Sequence, residues 1–290
     1  MHDAVAAVTK EAGGAFVIEN ISVDDPQVGE VLVEIKAVGV CHTDLALASG
    51  AFGTQFPAVF GHEGAGVVKS VGTGVSKVKP GDKVLLTFNS CGGCPRCSDH
   101  EPAYCHNFMP LNMVSVREDG STRLSQDGIP ISDNFFGQSS FASLAVANER
   151  NVVKVADDAD LAMLAPLGCG VQTGAGGVMR SLNAKPGQSI VVIGGGTVGL
   201  SAVLGAVVVG CEPIILIEPQ EGRRNLAKEL GATHVINPAD GETAETVRAI
   251  IPTGVDLVVD SSGHVPALES AINMLGNKGQ IGLIGMPGAM

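Results

Sequence analysis

The sequence predicts a two-part α/β protein, a β-rich domain followed by a doubly wound parallel sheet. Three observations carry this reading. Up to about residue 155 the chain is a series of short β-type segments separated by Gly, Pro and Asp turns, with weak helical periodicity. From about residue 185 short apolar runs alternate with helical stretches, the pattern of strands buried on both faces of a sheet. The chain has 290 residues, enough for roughly two domains. The expected division is 1–160 and 161–290.

In the first domain VLVEIKAV (31–38) alternates, AGVVKSV (65–71) and KVLLTF (83–88) are β-rich, and PGD (80–82) is a turn. These suggest a partly open barrel. In the second domain SIVVI (189–193), PIILI (213–217), HVI (234–236), VDLVVD (255–260) and GQIGLI (279–284) read as strands. Between them TVGLSAVLGAVVV (197–209) is an apolar helix and EGRRNLAKEL (221–230) an amphipathic one ended by Gly231, with further helices expected near 242–250 and 265–275. A six-stranded sheet of this kind would need one more strand and helix after GMPGAM (285–290), so the reading expects a sheet cut short at its C-terminus.

Charge and composition exclude some partners. A formal net charge of -12 repels phosphate backbones and anionic lipid, which argues against nucleic acid and membrane surfaces. The N-terminus lacks a basic segment followed by an apolar one, so no secretory signal is read and a cytoplasmic location is expected. The stretch 190–210 carries no charge and is long enough to span a bilayer. The glycines at 194–196 would weaken a continuous helix there, and favour a buried strand, a turn and a buried helix.

That turn holds the first chemical motif. GGGTVG (194–199) fits G-x-G-x-x-G, preceded by a strand, followed by a helix, and with Glu218 at the end of the next strand. Gly194 permits the tight turn, Gly196 lets backbone approach a pyrophosphate at the helix N-terminus, and Gly199 lets helix and strand pack. Thr197 and Val198 complete the cofactor-facing turn. A carboxylate at 218 accepts hydrogen bonds from ribose hydroxyls and repels a 2′-phosphate, which favours NAD over NADP. Arg223 follows closely enough to flank the adenosine. The competing reading is a Gly-rich turn in some other α/β sheet.

The second motif is CGGCPRCSDHEPAYC (91–105). Without a secretory signal a disulfide framework is not expected. The spacing suits a tetrahedral site in which Cys91, Cys94, Cys97 and Cys105 hold a structural zinc. A redox C-x-x-C would sit at the start of a helix, and the Gly and Pro residues here argue against one. A scattered set, Cys41, His62, Glu63 and Cys169, has the composition of a zinc site with an open position, but spacing alone does not join it. Each cysteine could equally be a small buried hydrophobe and His62 a core histidine. Cys211 is read as a buried residue leading into a strand.

Taken together, CHTD (41–44), GHEGAGVV (61–68), PGDKV (80–84), the four-cysteine lobe, GCGVQTGAG (168–176) and GGGTVGL (194–200) resemble the medium-chain zinc-dependent alcohol dehydrogenase family over residues 5–287. GCGVQTGAG and GATHVIN (231–237) look most like its aryl-alcohol branch. The resemblance implies a chaperonin-10-like (GroES-like) β domain and an incomplete Rossmann domain. It implies that Cys41, His62 and Cys169 bind a catalytic zinc with Glu63 as an alternate ligand, that Asp44 orients His62, and that Thr43 opens a proton relay. His42 would meet the cofactor pyrophosphate and Thr173 the nicotinamide. Two zincs, NAD, a small alcohol or aldehyde and a homo-oligomer, dimer or tetramer, complete the implied set. The expected reaction is hydride transfer between an aromatic or other apolar primary alcohol and NAD. The apolar neighbours Ala46, Leu47 and Ala48 lean the same way. The alternatives are a polyol or glutathione-dependent formaldehyde enzyme of the same family, or an inactive truncated zinc-binding fragment. Two features depart from the family: Ala46 stands where some members carry a relay histidine, and family chains run on for roughly 70–80 residues, an ordinary addition for a domain.

Overall fold

The computed structural model describes residues 1–286 apart from Ser115 and Glu118, with the backbone alone at Phe52; the last residues of GMPGAM, 287–290, lie outside the described residues. Contacts divide the chain into Met1–Cys169 and Gly170–Met290. The sequence texture placed the division at 160/161. The segment after it stays with the first unit because Leu161 and Ala165 bury their side chains against Ala65 and Leu85.

The first unit is built from two five-stranded sheets. Its elements are β1 (His2–Thr9), β2 (Phe16–Val23), β3 (Glu30–Val38), the short helix α1 (His42–Ala48), β4 (Ala58–Val59), β5 (Gly64–Val71), β6 (Lys83–Leu86), α2 (Pro95–Ser98), α3 (Phe108–Asn112), β7 (Leu124–Gln126), β8 (Ile129–Ile131), β9 (Leu144–Asn148), β10 (Val152–Lys154) and α4 (Leu161–Leu164). One sheet has the order β4-β1-β2-β7-β8 and the other β10-β6-β5-β3-β9. The strand-to-strand pairings in both are antiparallel, which short loops can connect, with one isolated parallel bridge between Ala58 and Ser132. The sheets join where the Ala7 amide donates to Phe141 O at 2.8 Å and Ser143 donates to Val5 O at 2.7 Å. Val8, Val23, Leu32, Val59 and Ile131 fill the space between them, each at most 1% exposed. At roughly 25 cal/mol per Å² of apolar surface, each such side chain contributes about 1.5–3 kcal/mol.

The second unit is a parallel sheet of order β13-β12-β11-β14-β15. Its elements are α5 (Gly170–Gly176), β11 (Ile190–Ile193), α6 (Thr197–Val209), β12 (Ile214–Ile217), α7 (Glu221–Glu229), β13 (His234–Ile236), α8 (Thr243–Ile250), β14 (Val255–Asp260), α9 (Val265–Met274) and β15 (Leu275–Leu283). The five strands and four crossover helices agree with the sequence pattern. The uncharged stretch 190–210 is β11, a turn and α6. No single helix among the described residues is long and apolar enough to cross a membrane. The last strand starts at Leu275, four positions ahead of the expected 279. Its pairing with β14 shifts register between Val255 and Leu257, so the Gly276–Lys278 segment adds to the strand without an apolar run. α6 packs against the sheet and against α5, where a Cβ at Gly205 would lie 3.0 Å from Ala175 Cα, while its apolar residues Leu204, Val207 and Val208 stay exposed. Cys211 is buried in the same core.

Candidate metal centres and cofactor cleft

Three backbone elements of the first unit converge on one point. β3 ends at Val38 and the chain turns into α1 with Cys41 at its N-cap. The Gly39 amide donates to Glu63 O at 3.1 Å, and a Cβ at Gly39 would overlap the Glu63 carboxylate. His62 and Glu63 immediately precede β5. Cys169 follows the tight turn Ala165–Gly168, which Thr87 Oγ1 anchors through a 2.9 Å bond to Gly168 O. The ligand atoms of Cys41, His62, Glu63 and Cys169 all lie within 4.8 Å of one another, although Cys169 stands more than a hundred residues from the others in sequence.

Asp44 organises this cluster. It is fully buried, and its Oδ1 accepts from Gly61 N at 3.0 Å and faces His62 Nδ1 at 2.9 Å. Its Oδ2 accepts from Cys41 N at 2.9 Å. The side chain therefore closes the N-terminus of α1 and orients the imidazole at once. With Nδ1 engaged, His62 Nε2 points at Cys169 Sγ, 3.2 Å away. Phe136 stacks on the ring at 4.5 Å and Phe135 meets it edge-on at 5.1 Å.

The electrostatics follow from crowding. Hydrogen bonding from Cys169, and then from His62 and Thr43 against the penalty of burial, pulls the Cys41 thiol down to about 3. The Cys41 thiolate, reinforced by burial, pushes Cys169 far above the usual thiol range. Burial lowers His62, but Asp44 and Cys41 outweigh it and raise the ring to about 9. Two thiols, an imidazole and a carboxylate in one buried cluster match the donor chemistry of zinc. Thr43 Oγ1 lies 3.6 Å from Cys41 Sγ. Leu47 and Ala48, expected to favour an apolar substrate, are instead core residues packed with Ala58, Phe60 and Phe135, because α1 turns that face inward.

The second cluster is the cysteine lobe. The sulfurs of Cys91, Cys94, Cys97 and Cys105 lie within 4.8 Å of one another, with Cys91–Cys97 at 3.9 Å and Cys94–Cys105 at 4.0 Å. A tetrahedron with Zn–S near ~2.3 Å has an S···S edge of about 3.8 Å, so four thiolates so placed fit a zinc ion. Backbone N–H groups already aim at the sulfurs, Cys91 N at Cys105 and Cys94 N at Cys91. The amides of His106 and Cys97 pull Cys94 down to about 6, while burial raises Cys97 to about 11. One expectation is corrected here. A helical turn does begin at this C-x-x-C: Cys94 is the N-cap of α2, and Pro95 fills its first position, where a missing N–H is harmless. What sets the lobe apart from a two-thiol motif is the contact of Cys91 and Cys105 with the pair.

The second unit carries a cleft of about 720 Å³ at the C-terminal ends of β11, β12 and β14. Gly194 has φ 94°, a conformation that favours glycine. A Cβ at Gly199 would overlap Gly194 O, so helix and turn touch there. A Cβ at Gly196 would meet no protein atom within 4 Å, so chain packing does not demand that glycine. The open space it leaves at the N-cap of α6 is a cradle of the kind a pyrophosphate fills. Thr197 and Val198 form the first helical positions behind it. Glu218 is buried in the cleft wall; its two oxygens accept from Gly195 N at 2.6 Å and Gln220 N at 2.8 Å. A carboxylate has about four acceptor sites, leaving room for ribose hydroxyls. Arg223 Nη1 stands 3.9 Å from Glu218 and lines the cleft, while Arg224 binds the carbonyls of Glu218 and Pro219. Thr173 is half-buried on α5, and His42 is exposed at the first position of α1.

Sequence reasoning passed over several residues. Ser261, Ser262 and His264 line the cleft beside the turn, and only the SSG after a strand could have marked them. Phe135, Phe136 and Gln138, all around His62, lie in a segment with no motif.

Comparison with known proteins places the chain in a family. Residues 27–157 match the alcohol dehydrogenase GroES-like domain and residues 197–290 the zinc-binding dehydrogenase family. The chain is 46% identical over 286 residues to a geraniol dehydrogenase of Castellaniella defragrans, covering 98% of this chain and 76% of that one. The benzyl alcohol dehydrogenase of Acinetobacter calcoaceticus superposes with a TM-score of 0.94 at 40% identity, covering 99% of this chain and 78% of that one. A zinc-binding alcohol dehydrogenase domain protein from Burkholderia ambifaria gives a TM-score of 0.95 at 44% identity, with 99% and 78% covered.

The chain belongs to the zinc-dependent medium-chain alcohol dehydrogenase family. It is an oxidoreductase with a metal and a nicotinamide cofactor, acting on small alcohols or aldehydes.

Proposed function

We propose that this chain oxidises an apolar primary alcohol to its aldehyde with NAD, holding one zinc among Cys41, His62, Glu63 and Cys169 and a second in the four-cysteine lobe. The observation that carries the reading is the convergence of those first four ligand atoms within 4.8 Å, with Asp44 behind the ring of His62. When bound, zinc supplies Lewis acidity toward an alcohol oxygen and the oxidised nicotinamide takes up hydride.

The protein groups do the rest. Cys41, Cys169 and neutral His62 hold the ion, with Glu63 as the alternate ligand. Metal uptake is coupled to proton release, since a cysteine ligates as the thiolate and a histidine as the neutral imidazole. Thr43, two residues beyond Cys41, would receive the alcohol proton while passing on its own hydroxyl proton. Ala46 offers no ring to pass it on, so the proton leaves through water or a ribose hydroxyl. His42 and Thr173 contact the cofactor, and Gly194, Gly196, Thr197, Val198 and Gly199 seat its pyrophosphate. Glu218 selects NAD because a 2′-phosphate would meet a buried carboxylate. The apolar character of the alcohol is supported by two relatives, a geraniol dehydrogenase and a benzyl alcohol dehydrogenase. Seven free cysteines support a reducing, cytoplasmic setting.

The test combines metal analysis with a substrate panel. The purified chain should hold two zincs and the Cys41→Ser variant one, with turnover lost. Geraniol and benzyl alcohol should exceed ethanol, sorbitol and S-hydroxymethylglutathione in kcat/KM with NAD. A single zinc in the wild-type chain, or activity indifferent to Cys41→Ser, would sink the assignment.

A further inference from the structure

The segment Asn134–Ser139 crosses directly beneath the ligand cluster, and one of its side chains is placed unusually for a residue with no motif. Gln138 is 2% exposed, and every polar group of its amide is used. Nε2 donates to His62 O at 2.9 Å and to Thr87 O at 3.2 Å, and Oε1 accepts from Gly64 N at 3.1 Å. Two of these contacts bracket Glu63: the carbonyl of the residue before it and the amide of the residue after it. The third ties that segment to Thr87, whose hydroxyl holds the carbonyl of Gly168, next to Cys169. One buried amide thus links the backbones that carry three of the four candidate ligands.

The surroundings hold that amide in place. Ser139 Oγ donates to Val59 O at 2.7 Å and accepts from Phe135 N at 3.0 Å. Phe136, with φ 50°, keeps its ring stacked on His62. A Cβ at Gly64 would lie 2.7 Å from Ser140 Cβ and 3.0 Å from Gln138 Oε1, so the start of β5 and this segment are in direct contact. The position requires both a donor and an acceptor. An apolar side chain of the same length would deprive His62 O and Gly64 N of their Gln138 partner, while Thr87 O would keep its 3.1 Å bond from Asn151 Nδ2. A carboxylate would keep the bond from Gly64 but face two carbonyl oxygens.

We propose that Gln138 is a positioning residue that fixes the His62–Glu63–Gly64 backbone relative to Cys169, and so sets how firmly the cluster retains its metal. The proposal rests on the assignment of that cluster as a zinc site. Loss of an outer partner of metal ligands typically weakens metal binding by about 10–100-fold. Because Gln138 acts through backbone, the lower end is expected.

The experiment follows zinc released from the intact chain to a chromogenic chelator. Wild type should show two phases, and Cys41→Ser should lack the one belonging to the His62 cluster. In Gln138→Met that phase should run about tenfold faster while the cysteine-lobe phase is unchanged. Gln138→Glu serves as the second variant if Gln138→Met folds poorly, with the same expected selectivity. In the cobalt-substituted protein, either variant should also shift the visible band that Cys41→Ser removes. Release of both metals at wild-type rates, or equal acceleration of both phases, overturns the role of Gln138 alone. A wild-type chain that releases a single zinc overturns the site assignment, and the role of Gln138 with it.

Discussion

Asp44→Asn probes how the candidate zinc cluster is preorganised. The wild-type carboxylate accepts from Cys41 N and Gly61 N and faces His62 Nδ1, all at 2.9–3.0 Å and out of contact with water. An amide of the same shape has only one acceptor oxygen. Turned toward Gly61 and His62, it sets its NH₂ against the Cys41 amide; turned the other way, it abandons the ring. The first arrangement strands one donor and the second two, so at least one donor loses its partner, which costs about 1–3 kcal/mol. The bonds that survive lose their charge assistance, roughly 1 kcal/mol each. The sum is about 3–5 kcal/mol, and at ~2–4 °C per kcal/mol for a unit of this size the melting temperature should fall roughly 10 °C. His62 also loses what keeps its proton on Nδ1, so zinc affinity at the cluster should drop about 10–100-fold. Scanning calorimetry and competition with a chelator read the two effects separately. A variant that melts within a degree of wild type and binds zinc equally well would refute the idea that Asp44 organises the site.

Other outcomes follow from the same geometry. Cys94→Ser should release one zinc and lower the melting temperature while the metal of the His62 cluster stays, which metal analysis of the heated and unheated protein would show. Glu218→Ala removes acceptors held for ribose hydroxyls; NADH affinity measured by fluorescence titration should weaken about 10–100-fold and the preference over NADPH should shrink. Asp133 is wholly buried, and burial raises its carboxyl to about 6 against an unfolded value near ~3.9. The folded state therefore holds the extra proton between those values, so this group's contribution to stability is lost as pH rises from about 4 through 6. Asp133→Asn should flatten that part of the melting temperature profile; an unchanged slope from pH 4 to 7 would contradict it.

The parallel sheet was legible almost residue by residue, because strands buried on both faces must be apolar and the helices between them must be amphipathic or apolar throughout. The glycine turn was legible for a related reason: φ 94° at Gly194 and the contact at Gly199 leave no room for a side chain. The cysteine lobe was legible because its ligands lie within one loop. The helical turn at Cys94 was misjudged, since Pro is unfavourable inside a helix yet suits its first position.

The Cys41–His62–Glu63–Cys169 cluster belongs to a different category. Its residue types carry zinc chemistry, but nothing local says that Cys169 comes to rest 3.2 Å from His62. That depends on the register of β3 on β5 and on Gly168 pressing against Leu86 O, which are properties of the assembled sheets. Leu47 and Ala48 looked like substrate neighbours in sequence and proved to be core, because helix phase is set by what α1 packs against. Gln138 could not be singled out at all: a lone glutamine has no pattern, and its role comes from two carbonyls and an amide supplied by distant segments. By itself the sequence determined the elements, the glycine cradle and the local cysteine lobe, since each is governed by neighbours a few residues away. Only the tertiary structure decided which scattered side chains meet and which hydrogen-bonding groups are buried beside them, because those contacts exist only once separate segments have packed.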